Sequence, residues 1–130
     1  AVLMAQSGQY NVSRCRRHGE EAAARLACCE VVKHTLAMLF LLNERHMPFY
    51  KWAFRAAKEL PKLSELIPTL EALLREPDED TIERVSAAVI EELRAQGLTD
   101  GGWDFLEPHA YAVMRRIRNP EIAALHIMEV

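Results

Sequence analysis

The 130-residue chain is half apolar and carries 16 Lys and Arg against 19 Asp and Glu, for a formal charge of −3. That length fits one domain around one buried core, and the acidic balance argues against a protein whose main task is to wrap nucleic acid. Cys15, Cys28 and Cys29 cannot all pair within the chain, no secretory signal is visible, and the apolar run Thr35 to Leu42 falls far short of the roughly 20 residues that span a bilayer. A cytoplasmic protein without a membrane span is expected.

The chain opens without an initiator methionine on apolar residues, which predicts a C-terminal fragment of a longer protein. Ser7-Gly8-Gln9 reads as a turn, because glycine tolerates positive φ. From about Glu20 to Arg45 a broad apolar stripe of Leu26, Cys29, Val32 or Lys33, Leu36 and Phe40, widened by Val31, Met38 and Leu42, predicts the central helix of a bundle. Pro48 suits the first turn of a second helix over about 48–59, with Phe49, Trp52, Ala53, Ala56 and Leu60 turned inward.

Pro61 closes that helix, and Leu63, Leu66, Ile67, Leu70, Leu73 and Leu74 continue at helical spacing. Pro68 interrupts them and predicts a break or kink. Glu76 to Asp80 form a loop that feeds carboxylates into the start of a fourth helix, whose stripe is Ile82, Val85, Val89 and Leu93 and whose cap is Gly97. A fifth helix is expected from Asp104 to no further than Asn119, and a short last one from Glu121 to about Ile127. No internal repeat or long linker separates two domains, and the connections are short. The expectation is one all-α domain over 1–130, an up-and-down bundle of four to six helices.

Complete catalytic motifs are absent. Asp78 and Asp80 have the Asp-x-Asp spacing of a metal-binding pair, but no Gly-Ser loop precedes them, so helix-start electrostatics is the simpler reading. Cys15, His18, Cys28, Cys29 and His34 lack the paired spacing of a zinc site, so no metal site is expected. No Gly-x-Ser-x-Gly elbow is present, and neither Arg14–His18 nor Arg118–His126 has the spacing of the Arg–His pair of small helical ribonucleases. Arg14, Arg16 and Arg17 form a basic cluster open to a phosphate or to solvent, and Arg115, Arg116 and Arg118 suit a helix end. The densest mixture of aromatic and basic side chains runs from Asn43 to Trp52. There Tyr50 and Lys51, turned away from the core stripe, are candidates to meet a base or a phosphate.

Three stretches carry a family resemblance. They are Gly8-Gln9-Tyr10-Asn11, the run Leu41-Leu42-Asn43-Glu44-Arg45 with Met47-Pro48-Phe49-Tyr50-Lys51-Trp52, and Pro120-Glu121 with Leu125-His126-Ile127-Met128. Together they resemble a family of helical domains of unassigned function that lie C-terminal to a nucleotidyltransferase-fold domain in bacterial proteins. His46 stands where that pattern has an aromatic. The resemblance implies a bundle similar to the C-terminal domain of aminoglycoside nucleotidyltransferases, which helps form the substrate cleft while the catalytic carboxylates lie in the N-terminal partner domain.

On that reading Asn11, Arg14, Arg45, Tyr50 and Lys51 face the cleft and bind nucleotide or a small-molecule substrate. Glu20 is a lesser candidate for a general base. Nucleotide and magnesium belong with the catalytic domain rather than with this one. The alternative expectation is a stand-alone helical interaction module, whose homodimer face combines the apolar first residues with the Leu-rich helix after Pro61. A small enzyme built from His18, Glu20 and Lys51 ranks last.

Overall fold

The computed structural model describes residues 1–128, whose regular structure is entirely helical. Seven helices follow one another, one more than expected. The first, α1, is continuous from Val2 to Arg17: an α-helical start (Val2–Met4), a π-helical middle (Ala5–Val12) and an α-helical end (Ser13–Arg17). Then come α2 (Glu21–Leu42), α3 (Tyr50–Ala57), α4 (Ile67–Arg75), α5 (Glu79–Ala95), α6 (Leu106–Met114) and the short α7 (Pro120–Ala123). No helix among the described residues is long and apolar enough to cross a membrane.

The first correction concerns α1. Ser7-Gly8-Gln9 is not a turn but the middle of a helix, and Val2, Met4, Ala5, Gly8 and Val12 are buried. Glycine serves here through its missing side chain rather than through positive φ. A Cβ on Gly8 would fall 2.6 Å from Val31 Cγ2 and 3.0 Å from Ile82 Cγ2, so α1 lies almost directly on α2 and α5. Gln9 then reaches outward, its Nε2 donating to Glu83 Oε2 at 2.7 Å and its Oε1 accepting the Leu106 N–H at 2.9 Å. One side chain of α1 thereby satisfies an orphan donor at the start of α6.

On α2 the buried face is Ala24, Cys28, Val31, Val32, Thr35, Leu36, Leu39, Phe40 and Leu42. It is rotated from the expected stripe: Leu26 is 71% exposed and Cys29 is exposed, because small Ala24 and Cys28 take the positions closest to the neighbouring helices. Thr35 can be buried because its hydroxyl donates to the Val31 carbonyl at 2.7 Å. α2 packs on α1, α3 and α4, while α1 also meets α5 and α6. A continuous core runs from Met4 through Leu39, Leu70 and Val89 to Leu106. Of the apolar residues assigned to a homodimer face, Val2, Met4, Leu70 and Leu73 are buried in the chain's own core, whereas Leu74 is 45% exposed.

Proline and glycine mark the ends. Pro68 starts α4 rather than kinking it, and the break lies earlier, where Leu63 takes a left-handed conformation (φ 63°) before a single 3₁₀ turn, Ser64–Leu66. Pro48 precedes α3, whose first residue is Tyr50. Asp78 caps α5 by accepting the Thr81 hydroxyl and the Thr81 N–H, the latter at 2.9 Å; these bonds, the hydroxyl's first, hold the Asp78 carboxyl below its usual range. Gly97 ends α5 at φ 69°, with Gly97 N bonded to Arg94 O and Leu98 N to Leu93 O, the paired bonds of a Schellman motif. α6 stops at Met114, short of the expected limit, and Asn119 caps α7 through its side chain.

Two predictions follow from this packing. Gly8→Ala should lower stability by about 1–3 kcal/mol in urea unfolding despite alanine's better helix propensity, since the added methyl must displace Val31 and Ile82. Burial pushes the Cys28 thiol up to about 11 and its Sγ lies 3.3 Å from the Leu73 carbonyl, so iodoacetamide at neutral pH should label exposed Cys29 before Cys15 and spare Cys28 until the chain unfolds.

Candidate functional site

The corner between α2 and α3 is built from the end of α2 outward. Glu44 N bonds to Leu41 O and Arg45 N to Phe40 O, again the Schellman pair, with Glu44 at φ 54° in the position usually held by glycine. The conformation is held from both sides. Asn43 clamps the backbone of Lys62, Oδ1 accepting its N–H and Nδ2 donating to its carbonyl, each at 3.0 Å. Gln96 Nε2 donates to the Leu42 carbonyl at 2.8 Å. These bonds fix where α2 stops and how α3 returns beside it.

On α3 the buried positions are Ala53 and Ala57, followed by Leu60, and these small residues let the helix approach α2 closely. The aromatic side chains are thereby turned out. Phe49 is 67% exposed, Tyr50 74% and Trp52 50%, so the expectation that Phe49 and Trp52 belong to the core is overturned. Trp52 lies about 100° around the helix from Ala53, which is enough to put it at the solvent boundary. The Phe49 and Tyr50 rings stand 4.5 Å apart at 50°. Lys51 Nζ lies 5.5 Å and Arg55 Cζ 5.4 Å from the centre of the Trp52 ring, both within cation–π range. Arg45 and His46 are exposed beside them. Residues 43–62 hold five Lys and Arg against two Glu, a basic region in an acidic chain.

The remaining predicted residues lie elsewhere. Asn11 is half-buried on α1, and Arg14 donates to the Tyr10 hydroxyl at 3.0 Å with its guanidinium over that ring. Glu20 is exposed just ahead of α2. Arg45, Tyr50 and Lys51 follow the other end of the same 22-residue helix, a span of about 33 Å. Within this chain Glu20 therefore shares no cleft with Arg45, Tyr50 and Lys51, and His18, Glu20 and Lys51 do not converge into a catalytic pocket. The basic cluster is largely engaged as well: Arg16 pairs with Glu21 at 3.8 Å and Glu76 at 3.6 Å, and Arg17 bonds the Ser13 carbonyl. Arg116 donates to the Ala112 carbonyl and pairs with Asp100, as a helix-end cation does. No three His, Cys, Asp or Glu side chains gather as a metal site among the described residues.

Sequence reasoning passed over His109. Fully buried on α6, it lies with Nε2 2.7 Å from the Trp103 carbonyl and Nδ1 2.9 Å from the Thr99 hydroxyl. The carbonyl only accepts, so Nε2 carries the proton. The Thr99 hydroxyl in turn accepts the Gly101 N–H at 3.3 Å, and in the neutral ring it donates to Nδ1. A single ring thus ties down the loop 98–105. His109→Leu should cost about 1–3 kcal/mol in thermal or urea unfolding, because the buried Thr99 hydroxyl and Trp103 carbonyl lose their partner.

Residues 1–53 are similar to the family described as Domain of unknown function (DUF4037). That stretch covers α1, α2 and the corner through Trp52. No curated protein and no solved structure matches the chain.

Proposed function

We propose that this chain is an accessory helical domain of a nucleotidyltransferase-like protein, and that it binds nucleotide or substrate through the α2–α3 corner beside a catalytic domain of nucleotidyltransferase fold. The observation that carries this reading is the exposure of Phe49, Tyr50 and Trp52 together with Lys51 and Arg55. An aromatic face stacks on a base of any identity, and adjacent cations meet phosphate. The resemblance of the Asn43 to Trp52 run to domains that accompany nucleotidyltransferases supports the same conclusion. Arg45, Tyr50 and Lys51 keep the binding role, now joined by Trp52 and Arg55. Glu20 lies at the opposite end of α2 from that corner, and Asn11 and Arg14 stand on α1; these three would face the catalytic domain separately. The magnesium and the carboxylates that bind it belong to that other domain.

The second reading, a homodimerisation module, is favoured by the same exposed rings together with Leu41, 69% exposed, and Met47. Nucleotide titration followed by the indole N–H signals separates the two. ATP, GTP or CTP should shift the Trp52 signal with millimolar affinity, Lys51→Ala with Arg55→Ala should weaken binding about tenfold, and Glu20→Gln should leave it unchanged. No shift up to about 10 mM nucleotide, a binding energy near 3 kcal/mol or less, would overturn the nucleotide reading. Sedimentation that shows a dimer abolished by Phe49→Ser would establish the other.

A further inference from the structure

α2 carries more apolar residues than the packing of one chain uses. Its buried face meets α1, α3 and α4. On the other side Ala22, Cys29 and Lys33 are exposed, Leu26 and Leu41 keep 71% and 69% of their surface open, and Ala37 is half-buried. At 100° per residue these positions fall within about 60° on either side of Leu26, so they form one strip about 28 Å long. A single exposed leucine needs no explanation, but an apolar strip that runs the length of a helix marks an interaction surface.

The charges on that side are few and balanced. Lys33 Nζ and His34 Nε2 both lie 3.3 Å from Glu30 Oε2, which leaves Glu30 Oε1 without a hydrogen bond or ion pair among the described residues. Arg25, at the edge of the strip, is engaged by the Arg75 carbonyl and by Glu76. Glu30 and Lys33 cancel, so the strip selects neither a basic nor an acidic segment. What it matches is itself. Its side chains lie on two adjacent i+4 rows, Ala22-Leu26-Glu30 and Lys33-Ala37-Leu41, the ridges by which helices interdigitate. When a second copy is turned antiparallel about a two-fold axis between positions 31 and 32, the two rows exchange. Leu26 then meets the partner's Ala37, Glu30 meets the partner's Lys33, and Ala22 meets the partner's Leu41. Each large side chain faces a small one and each charge faces its opposite, whereas a parallel pair would set like on like.

We propose that the outer face of α2 is a homodimer surface, on which two copies of this chain pack antiparallel about a two-fold axis midway along the helix. The contact is isologous, so every pairing occurs twice, and the open Oε1 of each Glu30 accepts the partner's Lys33. One helix pair makes a small interface, which sets the Kd on the order of 100 µM. The exposed rings of α3 stay outside the contact, and the nucleotide reading of the α2–α3 corner and this dimer stand independently.

Sedimentation equilibrium of the full chain between about 10 µM and 1 mM tests this, and the parent should pass from monomer to dimer across that range. Lys33→Glu sets two carboxylates against each other in the dimer and Glu30→Lys sets two ammonium groups, so each should raise the Kd at least about tenfold. An equimolar mixture of the two variants pairs opposite charges at both contacts and should dimerise at least as tightly as the parent. All these positions are exposed, so circular dichroism should show the helix content unchanged. Leu26→Ser should also weaken the dimer about tenfold, and Phe49→Ser should leave it as it is. The proposal is overturned by a monomer over the whole range, by a dimer that Phe49→Ser abolishes while Leu26→Ser does not, or by a mixture that associates no better than either charge variant alone.

Discussion

Gly8 is where three helices come together. With no side chain at that position, α1 can lie against Val31 of α2 and Ile82 of α5 at once, distances that any Cβ would violate. The next residue uses the same proximity, since Gln9 binds Glu83 on α5 and the first N–H of α6. Elements more than 70 residues apart are thus joined by two adjacent positions. The π-helical turn accompanies this crossing, and such turns are rare enough that their presence marks a locally constrained backbone.

The same principle of backbone satisfaction governs the helix ends. Schellman motifs close the C-termini of α1, α2 and α5, with Gly19, Glu44 and Gly97 at positive φ. At Glu44 no glycine is available, and the left-handed conformation persists because Asn43 binds Lys62 and Gln96 binds Leu42. That rigid corner then presents the start of α3. Because Ala53 and Ala57 occupy the contact with α2, the adjacent aromatic side chains project into solvent, where single-domain packing gives them no use.

The two tryptophans consequently define two different surfaces. Trp52 stands in a basic region with Lys51 and Arg55 over its ring. Trp103 stands in an acidic loop that the buried His109 holds in place. A modest net charge of −3 conceals this separation.

The all-α class and most helix positions among the described residues were legible along the chain, because apolar spacing, prolines and capping residues act over three or four neighbours. Asp78, Gly97 and the buried stripe of α5 are examples: each is decided within its own helix. What could not be read locally was direction. Gly8 suggested a turn, since a glycine needed for φ and a glycine needed for close approach look alike until the partner helix is known. Phe49 and Trp52 suggested a core, and only the approach of α2 to Ala53 and Ala57 turned them outward. Glu20 was a candidate base for the cleft of Arg45, Tyr50 and Lys51, until the 22 residues of α2 set it at the opposite end. The sequence by itself determined where helices form, through interactions between near neighbours. Tertiary structure alone decided which faces and which ends meet, because those contacts join residues that the chain separates by dozens of positions.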